Sequence, residues 1–181
     1  MFGLKQKTMT DNIKDFDTEY KVAQIVSVQY LEVWFKQIFD SPDYKEKYAD
    51  MPQMAHAMAV EVMKYLSAQD PEENKKMKYD SDVEKETFEM ARKHAEKWAD
   101  DAMNRDKDFC ELRVQTLRLD MIYCQFAHGL EYMHTERGKR IGNLLNKYGA
   151  LIPEQPDPKK YSKMIKNWIV WGESAKKKGL L

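Results

Sequence analysis

The chain has 181 residues, enough for one domain with its own core and too many to need a disulfide or metal staple. Hydrophobic residues make up 43% and charged residues 33%, a mixture that excludes a chain too polar to fold. Thirty basic and thirty acidic residues cancel to a formal net charge of zero, which argues against the global basic field of a nucleic-acid-binding domain but leaves room for a local patch.

Residues 1–14 are polar and read as a loose N-terminal segment, without the apolar core of a signal peptide. A first helix is expected over 18–39, with Asp15, Asp17 and Thr18 offering caps. Its apolar residues Val22, Ile25, Val26, Tyr30, Val33, Trp34, Ile38 and Phe39 wrap most of the circumference, so this helix should be central. The polar stripe of Lys21, Gln24, Gln29, Glu32 and Lys36 is narrow.

Ser41-Pro42-Asp43 offers a cap followed by proline and predicts a short helix to about residue 48. Met51-Pro52 restarts the chain, and a helix over 52–67 carries Met54, Ala55, Met58, Ala59, Val62, Met63 and Leu66. It too is apolar nearly all round and should share the centre. Several of the chain's twelve methionines fall here, and methionine both fills irregular core gaps and lines adaptable contact surfaces.

Residues 69–80 read as a polar connector. Ser81-x-x-Glu84 is a capping box that opens a helix over 82–104. Its single stripe is Phe88, Ala91, Ala95, Trp98, Ala99 and Ala102. A helix over 108–136 follows, with Leu112, Leu119, Ile122, Tyr123, Phe126, Leu130 and Met133 as its core stripe. A shorter helix over 139–148 lies among Gly138, Gly142 and Gly149. The proline-rich turn 153–158 leads into a last helix over 158–177, where Tyr161, Met164, Ile165, Trp168 and Trp171 fall at helical spacing.

No stretch alternates as a strand does. The fold class is therefore all-α: a single-domain bundle of five to seven helices over 15–178, with 179–181 as a tail. Cys110 and Cys124 stand fourteen residues apart in one predicted helix, about 21 Å, beyond disulfide reach. Two unpaired thiols suit a reducing compartment, so a cytoplasmic protein is expected. No apolar run approaches the roughly 20 residues of a membrane span, so no membrane partner is expected.

The sharpest local motif is Glu131-Tyr132-Met133-His134. Glu-x-x-His places both side chains on one helical face, as carboxylate-bridged di-metal bundles require. Asp120 falls on the same stripe, and Glu61 on a facing helix completes a candidate metal set of Glu131, His134, Asp120 and Glu61 for iron or manganese. The stripe lies on the flank of its helix, and no second copy of the motif exists: His56 follows Gln53 by three residues, His94 follows Ala91, and His128 follows Gln125. Cys124 and His128 are one turn apart, a spacing common in any helix and no proof of a nucleophile with its base. No catalytic residue can be named.

Arg137, Lys139 and Arg140, with Lys159 and Lys160, form the candidate basic patch, and Gly138 and Gly142 would let a phosphate approach backbone. The same charges also read as a solvated helix face. The favoured reading is a non-catalytic helical protein acting through protein–protein contacts, as an adaptor, inhibitor or assembly subunit, with a protein partner or a second copy. A carboxylate–histidine metalloenzyme is the alternative, and nucleic-acid binding through the basic clusters is a weaker third.

Overall fold

The computed structural model describes residues 9–51, 55, 58–62, 81–153 and 158–181. Helix α1 (Met9–Phe39) is the element around which the others gather, packing against three of the four other long helices among the described residues. A short α2 (Tyr44–Lys47) follows, then α3 (Asp82–Arg105), α4 (Lys107–His128), α5 (Glu136–Tyr148) and α6 (Pro158–Lys177). Two 3-10 segments, Leu130–His134 and Gly149–Leu151, bracket α5. Among the described residues there is no strand, and no helix is long and apolar enough to cross a membrane.

The wrap-around hydrophobicity of α1 accounts for its position. From Val22 to Phe35 only Ile25 is exposed, and Ala23, Leu31 and Phe35 are fully enclosed. The helix begins at Met9, so 9–14 are helical rather than loose, and Asp15, Asp17 and Thr18 lie inside it rather than at its cap. Ser41 does not cap α2 either: its hydroxyl donates to the Ile38 carbonyl at the end of α1.

Trp98 anchors one half of the core. Phe35, Phe39, Tyr44 and Tyr48 surround its ring, and Trp34 Nε1 donates to its carbonyl at 2.9 Å. Tyr30 anchors the other half, stacked on Phe109 and edge-on to Trp168. The predicted stripes of α3 and α6 face this core: Phe88, Ala91, Ala95, Trp98, Ala99 and Ala102 are buried, as are Tyr161, Ile165 and Trp168. Met51, Ala55, Ala59 and Val62 are buried too, whereas Glu61 is exposed. The rest of the expected 52–67 helix, with Met54, His56 and Met63, lies outside the described residues, as do the 69–80 connector and 154–157.

Helices α3 and α4 are not continuous. Asp106 is extended, ends α3 and caps α4 by accepting from Phe109 N at 2.9 Å. Its other oxygen accepts from Tyr30, which fixes the corner against α1.

Candidate functional site

The expected helix over 108–136 ends at His128. Gly129 (φ 71°, ψ −171°) sits in a backbone region open essentially to glycine alone, and there the chain leaves the helix. Leu130–His134 then forms a 3-10 segment, and Thr135 starts α5 by accepting from Gly138 N. Gly138 is buried with its Cα against the Tyr132 carbonyl, where an added Cβ would come within 2.1 Å. Its missing side chain serves this close packing rather than a phosphate.

The break has two consequences for the predicted sites. Glu131 and His134 are no longer on the Asp120 face, and both are exposed. Among the described residues no three His, Cys, Asp or Glu side chains converge as metal ligands, so Glu131, His134, Asp120 and Glu61 are not brought together. The expected core stripe also divides. Leu112 is buried, but Ile122, Phe126, Leu130 and Met133 are 57%, 95%, 79% and 36% exposed. The face that turns inward joins Leu112, from the expected core stripe, to Thr116, Asp120 and Cys124, which the sequence placed on the flank.

That flank is buried because Arg137 meets it. Arg137 Nη2 donates to both Asp120 oxygens at 2.8 and 2.9 Å, and both side chains are 4% exposed. Tyr20 from α1 donates to Asp120 Oδ1, and Gln24 Nε2 donates to the Tyr20 hydroxyl at 2.8 Å. Cys124 Sγ lies 3.6 Å from the same carboxylate oxygen. Burial, then Asp120, pushes the Cys124 thiol up to about 11 and raises the Tyr20 phenol, so both stay protonated at neutral pH. These groups are held, not poised for proton transfer.

The basic candidates separate as well. Arg137 points inward, Arg140 is half-buried beside it, and Lys139 faces solvent within reach of Glu136 at 3.5 Å. Lys159 and Lys160 are exposed on α6, a different helix. Arg113 of α4 was absent from the expected patch, yet it joins Arg137 and Arg140 between α4 and α5. Burial, reinforced by Arg140, draws its pKa down to about 10, and burial also lowers that of Arg140. An arginine in the middle of a partly apolar helix was the available signal.

No family model, curated protein or solved structure matches this chain.

Proposed function

We propose that this is a helical protein acting through protein–protein contact, and that the surface it uses is the ridge of Ile122, Phe126, Leu130 and Met133. The observation that carries the reading is Phe126, 95% exposed near the end of α4. Ile122 lies one turn before it on the same face, and Gly129 then presents Leu130. Gln125 Nε2 contacts Met133 Sδ at 3.1 Å and ties the far end of the ridge to α4. Four such side chains expose roughly 400–500 Å² of apolar surface, the size at which a patch on a monomer is often functional.

The occupant we assign is a second copy of the chain, making the protein an assembly subunit. A net charge of zero removes the repulsion that keeps strongly charged proteins apart. Two ridges facing each other bury less than the roughly 800 Å² per partner of a standard interface, so association should be weak and reversible. Two buried free thiols fit a reducing compartment, and the cytoplasm is the setting assumed.

Sedimentation velocity over about 5–500 µM tests this, a range that brackets weak micromolar association. The wild type should sediment faster as concentration rises, and the pair Phe126→Ser with Leu130→Ser should remain monomeric throughout. A wild type that stays monomeric at the top of that range overturns the assignment.

A further inference from the structure

Residues of α1, α4 and α6 line a cleft of about 570 Å³. Its size falls within the roughly 300–1,000 Å³ of small-molecule sites, which are mostly apolar with a few convergent polar groups. Tyr30, Met164, Trp168 and Trp171 supply the apolar part. The three rings lie 5.4 Å from one another, centre to centre, and so form one continuous platform. Trp168 is buried, but Tyr30 and Trp171 are only half-buried, which leaves aromatic surface open at the cleft.

Beside the platform the walls carry opposite charges. Asp108 and Glu111 come from α4, Lys163 and Asn167 from α6. The first two are three residues apart and the second two are four apart, so each pair shares one face of its helix. A carboxylate in the first turn of a helix offsets the helix dipole, which accounts for Asp108 but not for Glu111 one turn on. Among the described residues the side chains of Asp108, Glu111 and Lys163 make no hydrogen bond or ion pair, so the two walls do not neutralise each other. Asp106, also at the cleft, differs: its two oxygens are taken by Phe109 N and Tyr30. Lys160 lines the α6 wall too and already makes an interaction of its own. Left to a ligand are two carboxylates, one ammonium and one amide beside an aromatic platform. An anion would meet Asp108 and Glu111, and a simple cation would meet Lys163. A zwitterion satisfies both walls, and an aromatic ring within it packs on the platform.

We propose that this cleft binds a small zwitterion that carries an aromatic ring, an amino acid or a dipeptide, with its ammonium donating to Asp108 and Glu111 and its carboxylate accepting from Lys163 and Asn167. The cleft lies at the start of α4 and the apolar ridge at its end, so neither depends on the other.

Isothermal titration calorimetry with L-phenylalanine and with glycylphenylalanine tests it, carried to about 10 mM so that dissociation constants near 1 mM are reached. Phenethylamine, which keeps only the ammonium, and 3-phenylpropionate, which keeps only the carboxylate, are the comparison arms. At least one zwitterion should bind saturably, one per chain, and the tighter of the two names the source. Each single-charge analogue should bind about tenfold or more weaker, the loss expected when a charge-assisted hydrogen bond is missing. Lys163 is exposed and glutamine has the shape of glutamate, so Lys163→Gln and Glu111→Gln should keep the wild-type melting temperature. Each should weaken zwitterion binding about tenfold. Absence of saturable binding by both zwitterions, a single-charge analogue that binds as tightly, or binding unchanged in both variants overturns the assignment.

Discussion

Asp120 and Arg137 show how a single pairing decides which face of a helix is buried. Their side chains are 4% exposed, while those of Arg92 and Glu89 at the surface are 41% and 49% exposed. A surface pair contributes little, whereas removing one member of a buried pair strands the other charge and costs about 3–5 kcal/mol. Asp120→Asn should therefore lower the melting temperature by about 6–20 °C in a chain of this length, read by circular dichroism. Asp120→Leu combined with Arg137→Met should cost less than the two single changes added together, because neither charge is then left behind. The cysteines give a second check at this scale. Cys110 and Cys124 are 3% and 1% exposed, and burial raises both thiol pKa values. A chromogenic disulfide reagent at pH 8 should find no reactive thiol in the native protein and two in denaturant. Rapid reaction of the folded protein would contradict the burial.

At the scale of elements, Gly129 and Gly138 shape the α4–α5 corner. Gly129→Ala forces a side chain into glycine-only backbone space, at about 1–3 kcal/mol. Gly138→Ala drives a methyl to within 2.1 Å of the Tyr132 carbonyl and should cost about 1–3 kcal/mol through overpacking. Gly142→Ala, on the same helix with open space around it, should instead stabilise by about 0.5–1 kcal/mol. Chemical denaturation of the three variants gives the order directly, and a Gly138→Ala protein as stable as Gly142→Ala would refute the close approach. The same corner explains where sequence reading succeeded and failed. The α3 and α6 stripes were legible because a helix that buries one side keeps its apolar residues at i, i+3 and i+4. Ser81 was legible because capping is local, and its hydroxyl does accept from Glu84 N. The burial of Asp120 was not, because it depends on an arginine seventeen residues away on another helix. Gly129 after His128 was a visible stop signal, and running the helix through it put Glu131 and His134 on the Asp120 face and Leu130 and Met133 in the core stripe, positions that none of the four holds. That Arg113 lies with Arg137 and Arg140 was not legible for the same reason as the burial of Asp120: its environment is set by packing, not by neighbours in sequence.

At the scale of the whole molecule, α1 joins the two halves of the core, and this bears on how the protein unfolds. Trp34 and Trp98 lie in one aromatic group, Trp168 and Trp171 in the other, and all four belong to or pack against one continuous cluster. Tryptophan fluorescence and far-ultraviolet circular dichroism should therefore follow a single thermal transition, since no half of the core stands without α1. The proposed self-association adds a second condition. A contact made only by folded chains stabilises them by mass action, so the midpoint must depend on protein concentration. Above the dissociation constant, each tenfold increase adds about 1.4 kcal/mol per dimer, which for two chains of this length is roughly 2 °C. The wild type should show that rise, and the Phe126→Ser, Leu130→Ser pair should melt at one temperature at every concentration. Coincident probes with a concentration-independent wild-type midpoint would leave the fold intact and remove the dimer, so the experiment separates the core that folds the chain from the ridge proposed to join it to another.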